Sequence, residues 1–278
     1  MALRRPRPET FVAYLIALAF AFFAAFPIFW TLITSLKTEK DIITRTIQLI
    51  PTAPTLHNYY AIWTQSNLPD LMINSAIATF YTVAICVTAG TLAAYSLSRL
   101  RFRGRKHVLL FLLLLRMFPL VLMVIPLFII LRDTSLLDTK IGLALAYSGF
   151  LLPIFTWMMK GFFDAIPLEL EEAARIDGCT RFGAMVRVVL PLVQGGLWAC
   201  AVFTGIGAWN EYLFALMLTT SSGSRTWPVG LQLMVGEFQL PWGALSAGGI
   251  LSIIPVLVLF AFVQRAMVRG LAAGAVKG

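Results

Sequence analysis

The polar positions of this chain are gathered into a few clusters, and between them run long stretches without a single charge. Residues 10–36 form one such run, 71–98 a second and 141–159 a fourth. The third, 108–131, is interrupted only by Arg116. A fifth covers 188–210 and continues its apolar pattern past Glu211 to Leu218, and a sixth covers 238–264. A helix needs about 20 apolar residues to cross a bilayer core. The runs do not alternate, as the roughly 10-residue strands of a membrane barrel would. The pattern therefore predicts an all-α membrane protein of six transmembrane helices. The basic start of the first run could be mistaken for a signal peptide. Its apolar stretch far exceeds the roughly 7–15 residues of a signal h-region, so an uncleaved first helix is expected.

Composition agrees. The chain has 278 residues, 59% hydrophobic and 13% charged, against roughly a quarter charged in soluble domains. Too little polar sequence remains to coat a soluble globule, which argues against a soluble enzyme. Cys86 and Cys200 lie in apolar runs and Cys179 in a polar one, with no metal or redox spacing among them. No metal ligand set, catalytic motif or fixed-period repeat is expected.

The net charge of +9 reads as topology rather than nucleic-acid binding. Assigning loops alternately to two sides places 15 of the 22 Lys and Arg with the two termini and the loops after spans two and four. Lys and Arg collect in cytoplasmic loops, so both termini are expected inside the cell. The run from Arg99 to Lys106 is then a short stop-transfer loop, with an anionic-lipid patch as the alternative. Trp30, Trp63, Trp227 and Trp242 fall near the outer boundaries, as an aromatic belt would.

The segment 164–191 has its own logic. Pro167 suits the first helical position, and Glu169, Glu171 and Glu172 crowd the positive end of the helix dipole. Glu171 and Arg175 are four apart and can pair. Gly178 fits a left-handed helix end, and Thr180 can cap a second helix. Phe182, Met185, Val186 and Val189 recur at helical spacing on one face. The prediction is a helix–turn–helix hairpin on the cytoplasmic side, either lying on the membrane or docking into a soluble partner.

Glu172-Ala173-Ala174, three residues, Gly178, nine residues, Val188, one residue, Leu190-Pro191 resembles the EAA motif of bacterial ABC importer permeases. Val188 stands where the motif usually has Ile. Met117-Phe118-Pro119, Ala208-Trp209-Asn210-Glu211 and the ending from Gly270 to Gly278 resemble the branch that serves carbohydrates, the maltose type. The resemblance covers most of the chain. It implies a type I importer permease fold in three parts. Residues 1–70 would hold the basic start, first span and long outside loop. Residues 71–266 would form a five-helix core with the coupling loop at 164–191, and 267–278 a cytoplasmic tail.

The resemblance further implies that Glu171, Glu172, Ala173, Ala174, Asp177, Gly178, Leu190 and Pro191 couple the spans to an ATPase. Gly274, Val276, Lys277 and Gly278 would reach into the ATPase dimer. The last outside loop, with Ser221, Ser222, Gly223, Ser224 and Arg225, would meet a solute-binding protein. The partners implied are a second, different permease, two ATPase subunits, an external binding protein and membrane lipid. ATP and Mg would be held by the partner ATPase, since this chain has no phosphate-cradling G-x-x-x-x-G-K-[S/T]. The location implied is the bacterial inner membrane.

Within the spans, Arg116 and Glu211 are costly charges. Their depths differ by roughly 10 Å at 1.5 Å per residue, which argues against a direct pair. Asn210 and Glu211 either line the passage or form a structural hydrogen-bond network. Ser75, Thr79 and Thr82 share one helical face with Cys86. That stripe either lines a path or bonds its own backbone and packs on a neighbour. A self-contained ion-coupled carrier or channel is the competing function. It would ordinarily show several titratable groups at mid-membrane, where this chain offers one acid.

Overall fold

The computed structural model describes residues 8–44, 48–65, 67–236 and 240–275. All of the regular structure among them is helical. The chain divides into two compact units: Met1–Asn67 with Leu233–Ile254, and Leu68–Gln232 with Pro255–Gly278.

The first unit carries helix α1 (Pro8–Ser35), short α2 (Glu39–Ile42) and α3 (His57–Gln65). None of the apolar window of α1 is buried within the protein. A helix that is apolar on all sides belongs against lipid or another membrane helix. After α1 the chain is fastened by Asn58, whose amide donates to the carbonyls of Ser35 and Lys37 at 2.8 and 2.9 Å. Gly243 approaches Asn58 so closely that a Cβ would meet its amide at 2.6 Å.

The second unit opens with α4 (Leu68–Ile85), a π-turn at Cys86–Gly90 and α5 (Thr91–Arg99). Together they make one continuous span, Leu68–Arg99. A Cβ on Gly90 would lie 2.4 Å from the Phe155 ring, so glycine lets this span meet α8 (Lys140–Asp164). Tyr147, Phe155, Met159 and Phe163 of α8 are fully buried and form the middle of the core.

Spans three and five differ from the straight helices expected. Span three is α6 (Arg105–Met117) and α7 (Leu120–Asp133), bent by 100°. The cause is Pro119, which drives Phe118 out of the helical region to ψ 130. Span five is the helical stretch Arg181–Leu192 followed by α12 (Gln194–Trp209), bent by 81° at Val193, next to the Gly195-Gly196 pair. Among the described residues, four helices are thus long and apolar enough to cross a membrane, or up to six if each bent pair is one span.

The hairpin contains α9 (Leu168–Ile176), α10 (Arg181–Ala184), a π-turn at Met185–Val189 and α11 (Leu190–Leu192). Pro191 thus lies inside the helical stretch. Beyond α12 come α13 (Leu213–Leu218) and α14 (Trp227–Leu233). The last helix, α15 (Trp242–Ala275), continues through most of the segment expected to be a tail. Trp227 is not a belt residue: it is fully buried, with its backbone N–H donating to Ser75 Oγ at 2.7 Å.

Candidate functional site

The hairpin is built by local chemistry. Pro167 takes the N-cap position of α9, one place earlier than expected. At the other end the Cys179 N–H donates to the Ala174 carbonyl and the Gly178 N–H to the Arg175 carbonyl, at 3.0 and 3.1 Å. This paired closure requires a left-handed residue, and Gly178 has φ +93. The Thr180 hydroxyl then accepts from the Gly183 N–H at 3.0 Å and caps α10.

Two faces result. Glu171 and Ala174 are the buried residues of α9, and Ala184, Met185 and Val189 are buried in the following helix. Glu172, Ala173, Asp177 and Gly178 are exposed. Beside them Ile176 is 86% exposed and Phe182 63%. The expected apolar face of the second helix therefore splits. The π-turn alters the residue count per turn, so Met185 and Val189 turn inward while Phe182 and Val186 face out. The outward face is small and apolar, and exposed charges of both signs lie around it, Glu172 and Asp177 with Arg175, Arg181 and Arg187. Leu190 is half-buried and Pro191 exposed at the hairpin's return.

Glu171 does not pair with Arg175. Its carboxylate faces Arg99, 3.2 Å away, and accepts a hydrogen bond from the Tyr95 hydroxyl. In the sequence Arg99 reads as one of the topology charges, and Tyr95 carries no signal. The contact spans more than 70 positions, and no local signal marks it.

The other expected residues separate. Ser75 is buried and accepts from the Trp227 N–H. Thr82 is buried and donates to the Ala78 carbonyl of its own helix at 2.8 Å. Thr79 lines a cavity of about 670 Å³ together with Phe80, Trp198, Gly205, Trp209 and Val258. Its buried hydroxyl has no hydrogen-bond partner among the described residues. Asn210 is exposed and donates to the Ile206 carbonyl of its own helix at 2.9 Å. Glu211 accepts from the Phe214 and Ala215 N–H groups at 3.0 and 3.2 Å, capping α13. Arg116 lies in the last turn of α6, with its guanidinium 4.3 Å from the centre of the Phe150 ring.

The loop 219–226 is pinned from two sides. Asn74 donates to the Ser222 and Arg225 carbonyls at 2.9 and 3.0 Å. Asp138 accepts from the Thr220 and Ser221 N–H groups at 2.8 and 3.1 Å and from the Ser224 hydroxyl. Partial burial alone would raise the Asp138 carboxyl. The bonds from Ser224, Thr220 and Ser221 outweigh it and hold the group well below the usual carboxylate range. Ser224 is buried, Arg225 half-buried, and Ser221, Ser222 and Gly223 form the exposed tip. Of the expected tail contacts, Gly274 lies in α15, while Val276, Lys277 and Gly278 fall outside the described residues.

No group of three or more metal-ligating side chains occurs among the described residues. The chain is 40% identical to the sulfoquinovosyl glycerol transport system permease protein of Agrobacterium fabrum, over 91% of this chain and 89% of that protein. It is 37% identical to the diacetylchitobiose uptake system permease protein of Streptomyces coelicolor, over 91% of this chain and 92% of the relative. Its fold matches a chain of a bacterial ABC transporter involved in the import of the acidic polysaccharide alginate, with a TM-score of 0.78 at 22% identity, covering 95% and 99% of the two chains. The sequence profile of the binding-protein-dependent transport system inner membrane component matches residues 86–273, which take in the hairpin, the pinned loop and most of the helical core, and the chain belongs to that family.

Proposed function

We propose that this protein is the transmembrane subunit of an ATP-driven, binding-protein-dependent importer in a bacterial inner membrane. It forms half of the translocation path, beside a second and different permease. Two ATPase subunits, which hold the ATP and Mg, dock on the coupling hairpins. An external binding protein delivers the solute, and both termini of this chain lie inside the cell.

The observation that carries this reading is the outward face of the hairpin. Ile176 and Phe182 stand in solvent beside Glu172, Ala173 and Asp177, on an element whose turn is fixed by backbone closure. A rigid apolar knob with a charged rim fits a groove on a soluble partner. Glu211 engages both oxygens with α13 N–H groups, which favours the importer over an ion-coupled carrier.

The solute is a sugar, an oligosaccharide or a related polyhydroxylated compound. Support comes from the relatives named for sulfoquinovosyl glycerol and diacetylchitobiose. The exposed Ser221–Gly223 tip, held by Asn74 and Asp138, is a surface suited to the binding protein.

A tagged purification from native membranes in mild detergent tests the assignment. A second permease and an ATPase should copurify, and Glu172→Lys or Gly178→Val should strip the ATPase away. A chain that purifies alone, stable and without ATPase activity, overturns it.

A further inference from the structure

The hairpin is fastened to span two by groups that take no part in its outward face. Arg99 is the last residue of α5, and its Nε lies 3.2 Å from Glu171 Oε2, with the two side chains 6% and 9% exposed. The angle does not align as a hydrogen bond, so this is a charge contact. The other Glu171 oxygen accepts from the hydroxyl of Tyr95, one helical turn before Arg99. That hydroxyl also sits 3.4 Å from the Arg181 carbonyl at the start of α10. The Tyr95 ring meets Phe163 of α8 edge-on, centroids 5.7 Å apart and planes at 80°. Arg99 Nη2 donates to the Ile166 carbonyl at 2.9 Å, on the strand of chain leading into α9. Span two, the end of α8, α9 and α10 therefore converge on one buried carboxylate.

Such a pair is a poor choice for stability alone, because desolvating two charges consumes most of what their attraction returns. What such a pair adds is direction, a charge contact that can set one register between the elements it joins. Glu171 is the buried polar residue of α9, with Ala174 beside it. A displacement applied at Ile176 and Phe182 reaches the spans through the inner face of the hairpin, where this carboxylate is the directional contact.

We propose that Tyr95, Arg99 and Glu171 form a bolt that carries hairpin displacement into span two, which makes Arg99 and Glu171 positioning residues for coupling. The proposal rests on the importer reading.

The test uses the complete transporter in proteoliposomes, with its ATPase and binding protein, and reads solute taken up per ATP hydrolysed. Glu171→Gln should assemble and hydrolyse ATP, while uptake per ATP falls about tenfold, the upper range for a coupling residue. Arg99→Gln should behave alike. The double variant should lose no more than the worse single one, because both break the same contact. Unchanged stoichiometry in either assembled single variant, or losses that add in the double one, overturns the bolt. Should Glu171→Gln not assemble, Tyr95→Phe decides, since it keeps the ring on Phe163 and removes only the hydroxyl. A drop in uptake per ATP of about threefold supports the bolt, and wild-type coupling overturns it. A wild-type complex without ATP-driven uptake overturns the importer reading and the bolt with it. Wild-type uptake with unaffected variants overturns the bolt alone.

Discussion

Asp138 holds a backbone conformation that few residues accept, with φ +58. From that position its carboxylate collects two backbone N–H groups and the Ser224 hydroxyl. Aspartate tolerates left-handed backbone better than bulkier residues, and its short side chain reaches neighbouring N–H groups. Asn could hold the backbone but lacks the charge, so Asp138→Asn should destabilise the purified protein by about 1 kcal/mol, at the low end for bonds to a half-exposed charge. The pH dependence follows from the lowered carboxyl. Its contribution is complete above the unfolded carboxylate pKa of about 4 and drains away as pH falls toward the lower folded value. Thermal unfolding in detergent from pH 7 down to pH 3 should show the gap between wild type and Asp138→Asn beginning to narrow at the acid end. A constant gap across that range counts against the assignment.

Gly178 poses a different residue-scale problem. A Cβ there meets nothing within 4 Å, yet φ is +93. Only the backbone objects to a side chain, by about 1–2 kcal/mol for an ordinary residue and less for Asn. Gly178→Asn should therefore keep ATPase binding in a pull-down, while Gly178→Val should insert normally and lose transport. Normal uptake in the valine variant would remove Gly178 from the coupling role.

At the scale of elements, local and distant determinants part company. The hairpin was legible because its parts are near neighbours: Pro167, Gly178 and Thr180 each act within a turn of themselves. The breaks in spans three and five were marked by Pro119 and by Gly195-Gly196, but a charge-free run of the right length reads as one straight helix. The Arg99–Glu171 contact left no local trace, since each residue alone looks like an ordinary charge of its loop or helix. Close approach is another distant determinant. A Cβ at Gly90 would press 2.4 Å from Phe155, and the ring is fully buried with no room to retreat. Gly90→Val should cost about 1–3 kcal/mol through overpacking. Lowered thermal stability, with Gly149→Val at an open position as the control, would check it.

For the molecule as a whole, the orientation of the second unit rests on one asymmetry of charge. Arg101, Arg103, Arg105 and Lys106 crowd a single short loop, whereas the Ser221–Gly223 tip is uncharged. Basic residues beside a span are retained in the cytoplasm, and the bias is counted over short loops such as this. The pinned tip and the basic loop should therefore face opposite compartments, the basic one inside. The native thiols make the test clean. Cys86 and Cys200 are buried, and Cys179 is partly accessible, so a Cys179→Ser background leaves little reactive thiol. In that background Ser222→Cys should react with an impermeant maleimide on intact cells or spheroplasts. Arg103→Cys should react only after the membrane is opened. The same result would place the coupling hairpin beside the cytoplasmic ATP pool, because it returns between spans on the side of the basic loop, as Arg99, which ends α5 just before that loop, reaches Glu171 of the hairpin. Labelling of Arg103→Cys from outside would invert the molecule and leave Ile176 and Phe182 facing a compartment without ATP, which no ATPase docking could use.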